Sequence, residues 1–167
     1  MIQLWVNLPK QHKMTAPQYQ PIEFASIPSV ELDDDSGSVR VIAGEFNGHK
    51  GPANTFSPIN VLDITLKKDK SVVLDVEAGH NSIVFIRRGS ISLFSTTKLG
   101  NTQVAIMSLD GQSISIKNTN ENDSSSVLLL SGQPLNEPIA NRGPFVMNSE
   151  AELRQAMYDY QSGNFGT

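Results

Sequence analysis

Cysteine is absent from the chain. That excludes disulfides, thiolate metal ligands and cysteine nucleophiles, and it suits a reducing compartment. Histidine is nearly as scarce. The three present, His12, His49 and His80, are far apart in sequence. An imidazole metal site on a strand needs two His one residue apart, so that both rings face the same side; no such pair exists. Basic residues are outnumbered, 13 Lys and Arg against 17 Asp and Glu, for a net charge of -4. A phosphate-binding surface needs clustered Lys and Arg, so nucleic acid is not expected as a partner. Lys67–Lys68 and Arg87–Arg88 read as solvated turns or strand ends. No run approaches the ~18 apolar residues of a membrane span. The N-terminus lacks a basic region followed by an apolar one, so no signal peptide is expected. A cytoplasmic location is the expectation. There is no Gly-x-Ser-x-Gly elbow. The glycine-rich Gly44–Pro52 (GEFNGHKGP) is a surface loop rather than a P-loop: Gly51 follows Lys50, no Ser or Thr is placed for magnesium, and no helix follows.

What the chain does have is a succession of short alternating segments. Ile2–Asn7 alternates, which predicts a strand almost at the first residue. Lys10–Phe24 carries Pro17 and Pro21 and predicts an extended wrapping segment, pinned to the core by Tyr19, Ile22 and Phe24. Asp33–Gly37 is a turn signal, and Val39, Val41 and Ala43 share one face of the next strand. Alternation continues through Leu62, Ile64 and Leu66, then Val72, Leu74 and Val76. Ser82–Arg88 turns Ile83 and Phe85 one way, with Val84 and Ile86 partly opposed. Ile91 and Leu93, Val104 and Ile106, and Ile114 and Ile116 mark three more strands. Asp110–Gly111 is a hairpin signal, and Asn118–Ser126 reads as a mobile polar loop. Short strands at steady spacing, with Gly and Asp turns, indicate an all-β sandwich or barrel.

The last forty residues change character. Val127–Leu130 is an apolar run of strand length, stopped by Gly132 and Pro134. Pro138, Gly143 and Pro144 keep the chain extended until Asn148. A helix then begins, with Ser149 as cap and Glu152 completing a capping box. Leu153, Ala156, Met157 and Tyr160 fall on one face, and Gly163 marks the end. Burying Leu153, Met157 and Tyr160 would contribute roughly 1.5–3 kcal/mol each before ordering costs.

The words VLLLSGQPLNEPI (Val127–Ile139), GPFVMN (Gly143–Asn148) and YQSGNFG (Tyr160–Gly166), with the opening IQLWVNLP (Ile2–Pro9), resemble the C-terminal half of the pirin family. Pirins are two-domain cupins, and the resemblance runs from end to end of this chain. It implies an RmlC-like cupin jelly roll with one C-terminal helix, a single domain over residues 1–167. In the family a Gly-Phe pair precedes the Gln, where Met1 and Ile2 stand here, so the chain is expected to begin at the joint between the two domains. The metal-bearing N-terminal domain, with its iron or other divalent metal, would then lie outside this chain.

Within that resemblance, VEAGHNSIVFIRRG (Val76–Gly89) is similar to the first cupin motif. Counting back from Gly89, the family's carboxylate position falls near Ser82 and its histidine positions fall before His80. Asp75 and Glu77 lie there instead, and two carboxylates alone make a weak transition-metal site. They read as an exposed strand edge. His80, between Gly79 and Asn81, reads as a turn residue; His49 and His12 read as solvent-facing. Glu137 is the most tempting carboxylate, but a turn acceptor holding backbone N–H groups accounts for it better. Trp5 reads as a core or interface aromatic. No residue is assigned a catalytic, cofactor-binding or metal-binding role. Two functions stay open. One is a metal-free structural or interaction module, non-catalytic alone, that self-associates or docks on a metal-bearing cupin domain. The other is one part of a pirin-type, metal-dependent quercetin 2,3-dioxygenase or transcriptional cofactor.

Overall fold

Residues 2–121 and 123–166 are described in the computed structural model; Met1, Asn122 and Thr167, which fall in the chain start, the polar loop and the C-terminal tail discussed above, lie outside the described residues. The chain divides into two compact units. One is the continuous stretch 21–134, and the other is assembled from residues up to 20 and from 135 onward.

The continuous unit is built of β1 (Ser29–Glu31), β2 (Gly37–Ala43), β3 (Glu45–Phe46), β4 (His49–Lys50), β5 (Ile59–Leu66), β6 (Ser71–Asp75), β7 (Asn81–Arg88), β8 (Ile91–Leu93), β9 (Thr97–Leu99), β10 (Val104–Ile106), β11 (Ser113–Asn118) and β12 (Ser125–Gly132). A six-stranded sheet runs in the order β1-β2-β5-β12-β7-β10, and a four-stranded sheet in the order β6-β11-β8-β9. Every ladder in them is antiparallel. The larger sheet contributes Val39, Val41, Leu62, Ile64, Val84, Ile86, Val127 and Leu129 to one core; the smaller contributes Leu74, Ile91, Leu93, Ile114 and Ile116. Alternation fixes this register, because a one-residue slip would turn every such side chain away from the core.

Several expectations are corrected by the pairing. Along β7 the core face is Ser82, Val84 and Ile86, not Ile83 and Phe85. Both faces of this strand are apolar, so alternation cannot choose between them; Val84 and Ile86, with Leu129 and Val127 opposite them, join one core with Leu74, Ile91, Leu93, Ile114 and Ile116 of the other sheet. Asp110–Gly111 does not close a hairpin, since β10 pairs with β7 and β11 pairs with β6 and β8, in different sheets. The Gly44–Pro52 loop contains a small hairpin of its own, β3 against β4. Its turn is Asn47–Gly48, both at positive φ, the conformation that two-residue hairpin turns require. Phe24 does not pin the chain to the core: it is 75% exposed, and the Arg40 guanidinium sits 3.8 Å from its ring centroid.

Asn118, read as the start of a mobile loop, instead ends β11 and is fully buried. Its Nδ2 lies 3.0 Å from the carbonyls of Leu66, Lys67 and Asp123. Its Oδ1 accepts from the Asn120 N–H at 2.8 Å and from the Ser125 hydroxyl at 2.7 Å. One amide thus closes this end of the two sheets. On the outer face of the larger sheet, Asp63 is buried between Arg87 at 2.7 Å and Arg40 at 3.7 Å. Arg87 is thus the exposed strand-end residue expected, and it is ion-paired as well.

The second unit holds a hairpin of β13 (Ala140–Arg142) and β14 (Phe145–Met147), then α1 (Glu150–Gln161). The extended crossing read from the prolines is thus partly a hairpin, turned at Gly143–Pro144. The Ser149 hydroxyl caps α1 by accepting from the Glu152 N–H. Glu152 reaches back one residue further than a capping box would, accepting from the Asn148 N–H at 2.9 Å. Leu153 and Ala156 are buried with Met147, but Tyr160 is exposed and stacks edge-on against Phe145 at 5.7 Å. Ile2–Asn7 forms no strand. Its alternation reflects extended backbone, and no neighbour supplies a ladder. Trp5 is 74% exposed and Tyr19 89%, so neither is a core anchor.

Candidate functional site

The end of the two sheets opposite Asn118 opens into a cavity of about 1050 Å³. One wall is the β3–β4 hairpin. Its root is held where the Glu45 N–H donates to Asn60 Oδ1 at 3.2 Å and the Gly51 N–H donates to the Gly44 carbonyl at 2.9 Å. Gly44 is required here: its φ is +77°, and a Cβ would sit 1.7 Å from Asn60 Oδ1. The facing wall is the β6–β7 turn, braced by Val76 N–H to the Gln112 carbonyl at 2.9 Å and His80 N–H to the Glu77 carbonyl at 3.1 Å. Asp75, Glu77 and His80 all border this space, with Glu45, Lys50, Asn60 and Gln112.

The structure therefore brings together three residues that were weighed separately in the sequence. Asp75 and Glu77 are exposed on the rim, as a strand edge predicts. His80 is half-buried. Its Nδ1 lies 3.5 Å from the Ser131 hydroxyl, which lies 3.3 Å from the Ser82 hydroxyl. Both serines are buried, so a file of hydroxyls runs from the interior to the imidazole. His49 stays in its own hairpin, Nδ1 at 3.0 Å from the Asn47 carbonyl. His12 lies in a single 3-10 turn of the other unit. Glu45, Gln112 and Ser131 were not found by sequence reasoning. Glu45 was hidden in a loop read as surface, and nothing local marks Gln112 or Ser131, which arrive through strand pairing.

The donor set can be tested against a transition metal. Among the described residues, no group of three or more His, Cys, Asp or Glu side chains is arranged to hold an ion. One half-buried imidazole beside two rim carboxylates does not fit the metal that the resemblance implies, and no chemistry is routed through one here.

Glu137 lies in the second unit. Its Oε2 accepts from the Lys10 N–H at 2.8 Å and from Asn148 Nδ2 at 3.1 Å, joining the two ends of the chain within the second unit. Lys13 lies in the same region. Burial pushes its ammonium below the ordinary lysine value, while Glu137 and Glu152 oppose that shift. In this unit Trp5, Val6, Leu8, Phe145, Tyr160 and Phe165 line an apolar groove of about 590 Å³.

Comparison with known proteins decides the lineage. The family model of the pirin C-terminal cupin domain matches residues 61–166. The chain belongs to the pirin family. A crystal structure of quercetin 2,3-dioxygenase from Acinetobacter baumannii superposes on this pirin chain with a TM-score of 0.89 at 44% identity, covering 98% of this chain and 56% of that one. A Pseudomonas aeruginosa protein provisionally named a quercetin 2,3-dioxygenase is 42% identical over 165 residues, covering 99% of this chain and 56% of its own length. Pirin of Mus musculus is 32% identical over 168 residues, covering 99% and 57%. This pirin chain thus spans a little over half the length of these relatives. The two antiparallel sheets are a cupin fold with an added C-terminal helix. No helix among the described residues is long and apolar enough to cross a membrane.

Proposed function

We propose that this chain is a structural and interaction module of a pirin-type protein, non-catalytic alone, that docks on a metal-bearing cupin domain. The observation that carries the reading is the apolar groove of the second unit, with Trp5, Val6, Tyr160 and Phe165 exposed around it. Contiguous exposed aromatic and aliphatic surface marks interaction sites. The donor poverty of the barrel mouth supports the non-catalytic part. The proposed site of action is the cytoplasm, which a cysteine-free chain suits. A net charge of -4 disfavours direct nucleic-acid binding.

The test is sedimentation of the chain alone and mixed with the separately produced N-terminal half of the Pseudomonas relative. A stoichiometric complex, weakened at least tenfold by Trp5→Ser with Phe165→Ser, is the expected result. Concentration-dependent self-association at the same groove would make the partner a second copy. A strict monomer at micromolar concentration, indifferent to the other half, would refute both.

The names of two relatives favour a second reading, in which this chain is one part of a metal-dependent quercetin 2,3-dioxygenase. Elemental analysis followed by a flavonol absorbance assay distinguishes the two. Metal-dependent turnover by this chain alone would displace the module reading.

A further inference from the structure

We propose that the open end of the cupin barrel binds a neutral, non-aromatic polyhydroxylated ligand, a saccharide or open-chain polyol. The site is the cavity between the β3–β4 hairpin and the β6–β7 turn.

At about 1050 Å³ the space has the size of a small-molecule site rather than a crevice for solvent. Among the described residues no Phe, Tyr or Trp lines it, and the His80 imidazole is the single ring offered. A flat aromatic ligand is usually held between ring walls, which one imidazole does not supply. The lining carries Glu45, Asp75 and Glu77 against the single ammonium of Lys50, which opposes an anion. A compact cation is not favoured either, because the carboxylates do not converge with other ligands on one point. They are also exposed, so their pull on a diffuse cation is largely screened. What remains is a ligand that donates and accepts at many points. The walls supply both functions: carboxylate acceptors at Asp75 and Glu77, and the amide of Gln112 and ammonium of Lys50 as donors. A hydroxyl group satisfies either kind of partner, and a chain of hydroxyls matches a wall of mixed groups.

His80, which lines the cavity, adds preorganisation. The Ser82–Ser131–His80 file holds the imidazole from beneath through Nδ1, leaving Nε2 as its remaining polar atom. The inference does not depend on how the apolar groove of the other unit is used, nor on whether flavonol turnover occurs.

The test is a heteronuclear NMR titration of the intact chain with sorbitol and glucose, with gluconate and a flavonol as comparison probes. Sorbitol or glucose is expected to give saturable shifts confined to residues 45–60, 75–80 and 112. Glu77→Ala and Gln112→Ala should each weaken binding about tenfold, the usual effect of losing one hydrogen bond in which a partner is charged or well placed. Unchanged melting temperatures show that the variants remain folded, and Glu23→Gln, which lies outside the cavity, should bind as the parent does. Three results overturn the proposal. One is the absence of saturable shifts at about 100 mM ligand, where even a millimolar site is full. The second is equal or tighter binding of gluconate or the flavonol. The third is a response that neither variant alters.

Discussion

Replacing Asn118 by Ala tests the claim that one amide closes an end of the barrel. Its side chain serves the carbonyls of Leu66, Lys67 and Asp123 as donor, and the Asn120 N–H and the Ser125 hydroxyl as acceptor. The bonds to Leu66 and Ser125 are fully buried and the others partly so. A buried group left without its partner costs about 1–3 kcal/mol, whereas a half-exposed one can turn to water. The Ser125 hydroxyl keeps the Ser90 carbonyl as acceptor, so the one buried loss, at Leu66, predicts a destabilisation of about 1–3 kcal/mol. At about 2–4 °C per kcal/mol for a chain of this size, the melting temperature should fall by about 2–12 °C. Asn118→Asp keeps the acceptor, loses the donor and buries charge beside carbonyls, so it should be at least as damaging. Calorimetry or far-UV circular dichroism is the assay. Tryptophan fluorescence would be a poor reporter, since Trp5 is exposed and lies in the other unit. A loss below about 1 kcal/mol for both variants would refute the reasoning.

Two further predictions concern backbone space and pH. Gly37 has φ +136°, and a Cβ there would lie 1.9 Å from the Thr65 carbonyl oxygen, whereas a Cβ at Gly48 meets nothing within 4 Å. Gly37→Ala should cost more than about 4 kcal/mol and abolish soluble yield, while Gly48→Ala should cost only the roughly 1–2 kcal/mol of a left-handed residue; equal melting temperatures would contradict this. Desolvation tends to raise the Glu152 carboxyl, but the Asn148 N–H, the Ser149 cap and Lys10 together hold it below the ordinary value of 4.5. A depressed folded pKa means stabilisation present above the unfolded value and lost as pH falls through the folded one. Acid titration below pH 4.5 should thus loosen α1, and Glu152→Gln should flatten that part of the helical circular dichroism profile.

The strands were legible because each core face alternates against polar residues: Val39, Val41 and Ala43 in β2, and Leu62, Ile64 and Leu66 in β5, lie as the pattern predicts. The cap at Ser149 was legible for the same local reason. What failed was everything decided by a distant partner. β7 has apolar residues on both faces, so only its neighbours could orient it. The segment at Ile2–Asn7 alternates without a partner strand. Asp110–Gly111 has the chemistry of a hairpin but joins strands of different sheets. The cavity was only half legible. Asp75, Glu77 and His80 stood close together in sequence, but Gln112 reaches it, and Ser131 reaches His80, only through the fold, which no local pattern records.

The tether at Glu137 bears on how the chain assembles during synthesis. Lys10 precedes by 127 positions the carboxylate that receives its N–H. The opening segment therefore waits, unlatched, while the intervening strands emerge and collapse. Only when the β13–β14 hairpin and α1 follow are the two segments of the second unit clasped, so its closure must come after the intervening strands, and a truncation before Glu137 would forestall it.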